Sequence, residues 1–193
     1  MNSSVLPSLL TLLTLGVRKY FIVEQGQAKI VVRFGKPKYV AEPGLHWCLS
    51  LWGLVDRVGI FVYTEVILGE KGVRKHERKS FDYIQTREIV DEHREENVMT
   101  KDGNRCALEA VLYYRIQDPM KAVYEVTDYT LAIEKLVQSL LRNECGKYAV
   151  RELMASRESI ARELQVSLER ETQPWGVSVR LVELKTIDVG GTK

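Results

Sequence analysis

The sequence predicts an α+β protein, and three features lead to this fold class. Apolar and polar residues alternate over several stretches of residues 23–116, the period-two pattern of half-buried strands. Within residues 119–170, apolar residues instead recur every three or four positions, which is typical of amphipathic helices. Period two returns from Val177 to Asp188. This order of strands, helices and a final strand predicts helices packed against an antiparallel or mixed sheet.

The composition is that of an ordinary globular chain. Its 193 residues allow one large domain or two small ones, and 45% are hydrophobic and 28% charged. A net charge of +2 gives no indication of a nucleic-acid partner. The three cysteines, Cys48, Cys106 and Cys145, form no C-x-x-C pair, which favours reduced thiols over disulfides or a zinc site. We expect them to act as small buried hydrophobes.

The first residues form a separate apolar segment within residues 1–19. Residues 5–15 carry no charge, but eleven helical residues reach only about 17 Å, against roughly 30 Å for a hydrocarbon core. A short membrane anchor, a removed or disordered leader, and a core helix all fit this pattern. If the segment is a membrane anchor, the positive charges of Arg18 and Lys19 place the following domain on the cytoplasmic side. The candidate membrane-associating residues here are Val5, Leu6, Leu9, Leu10, Leu12, Leu13 and Leu15.

The first half of the chain then predicts a β-rich unit. Ala28, Ile30, Val32 and Phe34 share one face of a strand that ends at the turn signal of residues 35–37. Residues 42–44 predict a type II turn, residues 45–54 an apolar loop and residues 57–68 a further strand.

The apolar loop of residues 45–54 holds a second set of candidate membrane contacts. Trp47 and Trp52 are amphipathic rings of the kind that lie at lipid headgroup level. Cys48 between them is a candidate for acylation, which would strengthen a weak anchor.

A charged interlude follows over residues 70–93 and extends to residue 96. Its basic part contains Lys71, Arg74, Lys75, Arg78 and Lys79, and its acidic part contains Glu88, Asp91, Glu92, Glu95 and Glu96. The simplest interpretation is a solvated hairpin. As a hypothesis, the basic run of one subunit meets the acidic run of the next, through exposed pairs that are weak and salt-sensitive. The basic run also suits anionic lipid headgroups.

The second half predicts a β-α-α-β unit. Residues 101–104 form a hairpin turn before a strand at residues 105–116. Asp118 and Pro119 predict the start of a short helix over residues 120–126, and Asp128 caps a second helix that stops at Gly146. A third helix runs from Val150 to residue 170 and closes at residues 174–176, before the final strand.

No motif predicts an enzyme. The chain lacks phosphate-loop, dinucleotide-binding and zinc-protease signatures, and we expect no catalytic residue, metal site or cofactor. His46 and Cys48 form an isolated pair without a second ligand cluster, and we expect His76 and His93 to be solvated.

Short motifs occur along nearly the whole chain in the order found in one known family. They are residues 25–26, 30–36, 42–46 and 55–58 in the first half, and residues 98–103, 113–116, 118–119, 121–124, 140–142, 146, 152–153, 157, 174–177, 182–185 and 187–188 in the second. With Glu42-Pro43-Gly44, Asp118-Pro119 and Pro174-Trp175-Gly176 among them, the chain resembles the stomatin–prohibitin–flotillin–HflK/HflC (SPFH, or band-7) family. It is most similar to the stomatin and HflK/HflC side.

The resemblance implies a two-part SPFH domain, with subdomains at residues 20–95 and 96–189 and a tail at 190–193. It also implies a membrane-associated scaffold that assembles with itself into rings or cages, organises a membrane microdomain and regulates a membrane protein such as a channel or protease. Family members usually continue into a long charged helix, and its absence from this sequence puts assembly through that helix in doubt. The alternative is a soluble SPFH-derived protein-binding module without membrane anchoring.

Overall fold

The computed structural model describes residues 18–49, 56–68 and 74–189. These residues divide into two compact units. Unit 1 contains residues 18–49, 56–62 and 80–86, and unit 2 contains residues 63–68, 74–79 and 87–189. The predicted boundary between residues 95 and 96 lies inside a strand of unit 2, and the whole acidic run belongs to unit 2.

The described residues contain both strands and helices, which confirms the α+β prediction. The strands are β1 (Arg18–Val23), β2 (Gln27–Arg33), β3 (Lys36–Ala41), β4 (Gly44–Leu49), β5 (Asp56–Val58), β6 (Phe61–Leu68), β7 (Arg74–Phe81), β8 (Ile84–Gln85), β9 (Ile89–Met99), β10 (Arg105–Ile116) and β11 (Val177–Val189). The helices are α1 (Pro119–Tyr124), α2 (Tyr129–Cys145), α3 (Val150–Ala155) and α4 (Arg157–Thr172), followed by a 3-10 turn at Gln173–Trp175.

Unit 1 is built around β2. This strand pairs antiparallel with β3, β5 and β8, while β1 and β4 form a separate antiparallel ribbon. Ile30 and Val31 of β2 are fully buried because the strand has neighbours on both edges and apolar residues on both faces. Arg33 fixes β5 to β2, since its guanidinium donates to both carboxylate oxygens of the buried Asp56 at 2.6 and 2.9 Å.

Three predictions for the first half of the chain are wrong. Phe34 does not share the buried face of β2, because it has a φ of 49°, Gly35 has a φ of 80°, and the two form the tight turn into β3. Its ring is exposed. The apolar segment predicted as a loop instead forms strand β4 over its first part, and the strand predicted over residues 57–68 is interrupted at Gly59, whose N–H donates to Ile30.

Unit 2 is organised around the three-stranded sheet β11–β10–β9. The predicted strand at residues 105–116 is its centre, and Leu108, Leu112 and Tyr114 of β10 are buried. Helix α2 packs against β9, and α4 packs against β11. The third predicted helix is divided into α3 and α4, because Ser156 has a non-helical φ of −110° and ψ of 21°.

The charged interlude is not the solvated hairpin that the sequence favours. Strand β7 pairs with β6, whereas β9 pairs with β10 inside the main sheet of unit 2. The expectation that His93 is solvated is wrong, since only 2% of the residue is exposed on the inner side of β9. Alternation is present in β9, but its inner positions are polar and therefore carry no hydrophobic signal.

Aspartates begin both predicted helices as expected. Asp118 accepts hydrogen bonds from the N–H groups of Met120 and Lys121, which caps α1. Asp128 accepts from Leu131 N–H at 3.1 Å, which caps α2. Its second carboxylate oxygen accepts from the N–H of Thr64 at 3.0 Å and from the Thr64 hydroxyl at 2.5 Å. The cap of α2 therefore also holds strand β6 in place.

Candidate membrane interface

The β1–β4 ribbon presents a row of large apolar side chains to solvent. Its register places Tyr20 opposite Trp47 and Ile22 opposite Leu45. Directly opposite residues and residues two apart lie on the same face of a β-ribbon, so these four share one face. Between 56% and 68% of each residue is exposed. We call Tyr20, Ile22, Leu45 and Trp47 the apolar face.

The other face of the same ribbon belongs to the core of unit 1. Val23 is buried with Val31 and Ala41, and Phe21 packs against this cluster. Phe21 also stacks on His46, with ring centroids 5.5 Å apart. One side of the ribbon therefore packs on the core, while the described residues leave its second apolar side exposed.

The chemistry of the apolar face suits a membrane surface. The rings of Tyr20 and Trp47 meet edge to face at 5.9 Å. Tyrosine and tryptophan are enriched at membrane–water interfaces, because each has an apolar ring and one polar group that stays in contact with water. A contiguous exposed apolar patch with this composition is typical of a membrane or protein contact and not of an ordinary solvated surface.

The structure places one predicted membrane-associating residue, Trp47, on the apolar face. Trp52 and the seven residues from Val5 to Leu15 lie outside the described residues. Cys48 is buried on the core side of the ribbon, so acylation of its thiol requires the ribbon to move. Sequence reasoning missed Tyr20, Ile22 and Leu45. The apolar run at residues 20–23 and the alternation at residues 44–48 were the available signals.

The predicted basic residues fall on β7 and in the segment before it. Arg78 and Lys79 are exposed on β7. Arg74 and Lys75 lie on the same strand, and Lys71 lies outside the described residues.

The predicted acidic residues are engaged within unit 2. Glu88 forms an ion pair with Arg180, Glu92 with Lys185, and the buried Glu95 with Arg142. Asp91 lies 3.4 Å from the His93 ring, and Glu96 lies on β9. Pairing of this run with the basic run of another subunit stays a prediction, and it has to compete with these internal partners.

The buried thiols are poor nucleophiles. Cys106 donates to the carbonyl of Val98 at 3.6 Å, and burial raises its pKa. Burial, with a hydrogen bond to Cys106, raises the pKa of Cys145 to about 12. Neutral buried thiols are inert, because the thiolate is the reactive form. Within the described ranges no group of three or more histidine, cysteine or carboxylate side chains is placed to hold a metal ion.

Comparison with known proteins settles the family. The model of the SPFH domain / Band 7 family matches residues 21–191, nearly the whole chain. The chain belongs to this family. The resemblance inferred from the collinear motifs is thereby confirmed.

Similar proteins include stomatins. Stomatin-4 of Caenorhabditis elegans is 26% identical over 187 residues, which cover 95% of this chain and 58% of that protein. A protein of Methanothermobacter thermautotrophicus is 30% identical over 182 residues, 94% of this chain and 49% of its own length. A stomatin homolog of Pyrococcus horikoshii is 34% identical over 94 residues, 49% of this chain and 35% of its own length. The chain thus spans about one third to three fifths of the length of these relatives. Among its described residues, no helix combines the length and the apolar character needed to cross a bilayer.

Proposed function

We propose that this SPFH chain is a membrane-associated scaffold that assembles with itself and performs no catalysis. The single observation that carries the membrane part is the apolar face of the β1–β4 ribbon. Membership in a family that contains stomatins supports the scaffold part. Its partners would be further copies of itself, membrane lipids, and a membrane protein such as a channel or protease, with the domain on the cytoplasmic side.

Two parts of the chain contribute to membrane binding in this proposal. The apolar segment of residues 5–15 enters the bilayer, and the apolar face lies at headgroup level close behind it in sequence. The basic run on and before β7 adds attraction to anionic lipids, about 1 kcal/mol for each lysine or arginine near the surface. A scaffold held by several weak contacts organises the lipids around it without needing a full membrane span.

The free energy from the apolar face follows from its area. Full burial of a large apolar side chain stabilises by about 1.5–3 kcal/mol, and an interfacial contact buries only part of each side chain. With about 1 kcal/mol for each residue, changing both Ile22 and Trp47 to serine weakens binding by roughly 30-fold.

The test is co-sedimentation of the full chain with phosphatidylcholine vesicles, with and without phosphatidylserine. The Ile22→Ser/Trp47→Ser variant should bind roughly 30-fold more weakly to both vesicle types. The matched control is Met154→Ser/Val166→Ser, which removes two comparably exposed apolar side chains from unit 2 and should bind like the wild type. Repeating the series without residues 1–17 separates the face from the apolar segment.

If the wild type and the Ile22→Ser/Trp47→Ser variant bind equally, both with and without residues 1–17, the apolar face does not contribute to membrane binding. If the wild type also fails to bind either vesicle, the alternative of a soluble SPFH-derived binding module takes its place.

A further inference from the structure

The turn between β2 and β3 carries an aromatic residue in an unfavourable backbone conformation. Arg33 and Lys36 pair across the two strands and leave Phe34 and Gly35 as a two-residue loop. Phe34 has a φ of 49° and Gly35 a φ of 80°, the signs that a type I′ turn requires at both central positions. Asparagine or glycine suits the first of these positions, whereas the Cβ of a bulky residue is crowded there. Phenylalanine is therefore not the residue that the turn itself favours.

The side chain of Phe34 gains nothing from the described part of the chain that would offset this strain. The residue is 73% exposed, the largest exposed fraction among the large apolar residues that the structure describes. A phenyl ring that stays in water contributes no hydrophobic stabilisation. Strain and exposure thus fall on the same residue, and a strained residue without an internal role favours a role in binding.

Positive charge surrounds the turn without matching negative charge. The cations at this end of the sheet are Arg33 on β2, Lys36 and Lys38 on β3, and Arg57 on β5. Asp56 is the only carboxylate on these three strands, and Arg33 and Lys38 share it at 2.6 and 3.6 Å. Lys36 and Arg57 are exposed, and neither forms an ion pair with any residue that the structure describes. Two cations at the turn are therefore free to pair with an outside anion.

The two free cations lie on either side of the turn. Lys36 follows the turn directly on β3, and Arg57 pairs with Val32 on the opposite edge of β2. Neighbouring strands are about 4.8 Å apart, so the backbones of Lys36 and Arg57 are separated by roughly 10 Å. One exposed phenyl ring and two unpaired cations thus share one end of unit 1.

The β1–β4 ribbon brings the start of the described chain to the same end of unit 1. Phe21 and Tyr39 pack on one apolar cluster, so the ribbon lies along the β2–β3 hairpin. Cys48 pairs with Lys19 at the outer end of the ribbon. Burial raises the pKa of Tyr39, and the nearby Asp56 and Cys48 raise it further, which places the outer end of the ribbon close to Asp56. Asp56 itself lies opposite the residue that precedes the turn.

The apolar segment of residues 5–15 therefore joins unit 1 beside the turn. It connects to the ribbon through Arg18, which pairs with Leu49 at the same outer end. A bilayer that holds this segment then lies next to the exposed ring and its two free cations. An acidic protein surface would match the charges equally well, but only a bilayer is brought to this place by the chain itself.

We propose that the β2–β3 turn binds anionic lipids, with Phe34 inserted at the membrane surface and Lys36 and Arg57 on lipid phosphates. The inference rests on the proposed membrane association and adds a site that distinguishes anionic from zwitterionic lipids. Arg57 can hold a phosphate through two parallel hydrogen bonds, and Lys36 acts as a point charge. The ring gains apolar contact only from a lipid, so the ligand is a headgroup in a bilayer and not a free phosphate ion.

The charge part is tested by co-sedimentation of the full chain with phosphatidylcholine vesicles, with and without phosphatidylserine. Lys36→Gln/Arg57→Gln should bind the phosphatidylserine vesicles roughly 30-fold more weakly than the wild type and the phosphatidylcholine vesicles equally well. High salt should remove most of this difference, because it screens exposed charges. The matched control, Arg105→Gln/Lys121→Gln, removes the same two charge types from exposed positions of unit 2 and should bind both vesicles like the wild type.

The ring is tested with Phe34→Asn, which removes the side chain and supplies a residue that suits a positive φ. Binding to both vesicle types should weaken about fivefold, since one partly buried apolar side chain is lost. Differential scanning calorimetry should show a Tm about 3 °C higher, because the strain is relieved. A residue with a structural role would lose stability on this change. Phe34→Trp keeps an interfacial ring and should bind like the wild type.

Failure of this site and failure of the proposed function give different results. If Lys36→Gln/Arg57→Gln binds phosphatidylserine vesicles as tightly as the wild type, the turn is not an anionic-lipid site, while membrane association itself stands. If Phe34→Asn binds vesicles like the wild type but loses self-association, the ring contacts a second copy and the proposal is overturned. If the wild type binds neither vesicle, both the site and the proposed membrane association are overturned.

Discussion

Replacement of Asp128 tests whether one carboxylate links the start of α2 to strand β6. One oxygen caps the helix through Leu131, and the other accepts two hydrogen bonds from the buried Thr64. Asp118 is a natural comparison, because it caps α1 through Met120 and Lys121 without holding a distant strand. Asp128→Ala and Asp118→Ala therefore differ chiefly in the contact with Thr64.

The two losses differ in size. Removing an aspartate cap costs about 1 kcal/mol, which is the full expectation for Asp118→Ala. Asp128→Ala also leaves a buried N–H and a buried hydroxyl without an acceptor, at about 1–3 kcal/mol for each group. The total for Asp128→Ala is about 3–7 kcal/mol. For a chain of this length, 1 kcal/mol shifts Tm by about 2–4 °C, so we expect losses of about 3 °C for Asp118→Ala and about 10 °C for Asp128→Ala.

Far-UV circular dichroism is the suitable assay, because every described α-helix lies in unit 2. Asp128→Asn keeps the cap but cannot accept both bonds from Thr64, so its Tm should fall between those of Asp128→Ala and the wild type. The hydrogen-exchange rate of the Thr64 amide should rise in Asp128→Ala and stay unchanged in Asp118→Ala. Equal Tm losses for the two alanine variants would refute the link between helix and strand.

Two further predictions concern backbone and pH. Gly176→Ala should destabilise unit 2 by several degrees in Tm, because Gly176 has a φ of 70° and an added Cβ would lie 2.5 Å from the Asp118 carbonyl oxygen. Gly103→Ala, with a φ of 79° and open space around the Cβ, should lose only the cost of backbone strain, and a loss as large as that of Gly176→Ala would contradict the close approach. Burial raises the pKa of Cys145 from 9.0 to about 12, so the folded state keeps a proton that the unfolded state releases. Ionisation of Cys145 should therefore not affect the free energy of unfolding below about pH 9. Between pH 9 and 12 it should lower that free energy, by up to about 1.4 kcal/mol per pH unit. Urea unfolding across this range should show a shallower slope for Cys145→Ala, with the remainder from Cys106 and Tyr114, whose pKa values burial also raises; an unchanged slope would exclude Cys145 as a source.

The sequence predicted the parts of the fold in which local chemistry and burial agree. Strand β10 alternates apolar and polar residues because its inner face is core, and Asp118 and Asp128 start helices because their carboxylates cap free N–H groups. Strand β9 was not predicted, because its inner face carries His93 and Glu95. In the sequence these buried positions look like part of a charge run. Phe34 was misplaced because its backbone turns at φ 49°, which alternation alone does not reveal.

The candidate surfaces depended on pairing that no single segment encodes. Trp47 was predicted from its chemistry, but Tyr20 and Leu45 join it only through the β1–β4 register. Tertiary register, and not residue type, supplies this information.

The particle mass of the full chain shows directly whether the protein forms a membrane-associated assembly of many copies. The chain is extracted from cell membranes in mild detergent, its mass is measured by light scattering, and the peak is imaged in negative stain. We expect it in the membrane fraction, as a ring or cage of many copies whose mass falls when Lys75, Arg78 and Lys79 are changed to glutamate. A monomer or dimer recovered from the soluble fraction, even at low salt, would rule out a membrane-associated scaffold of many copies.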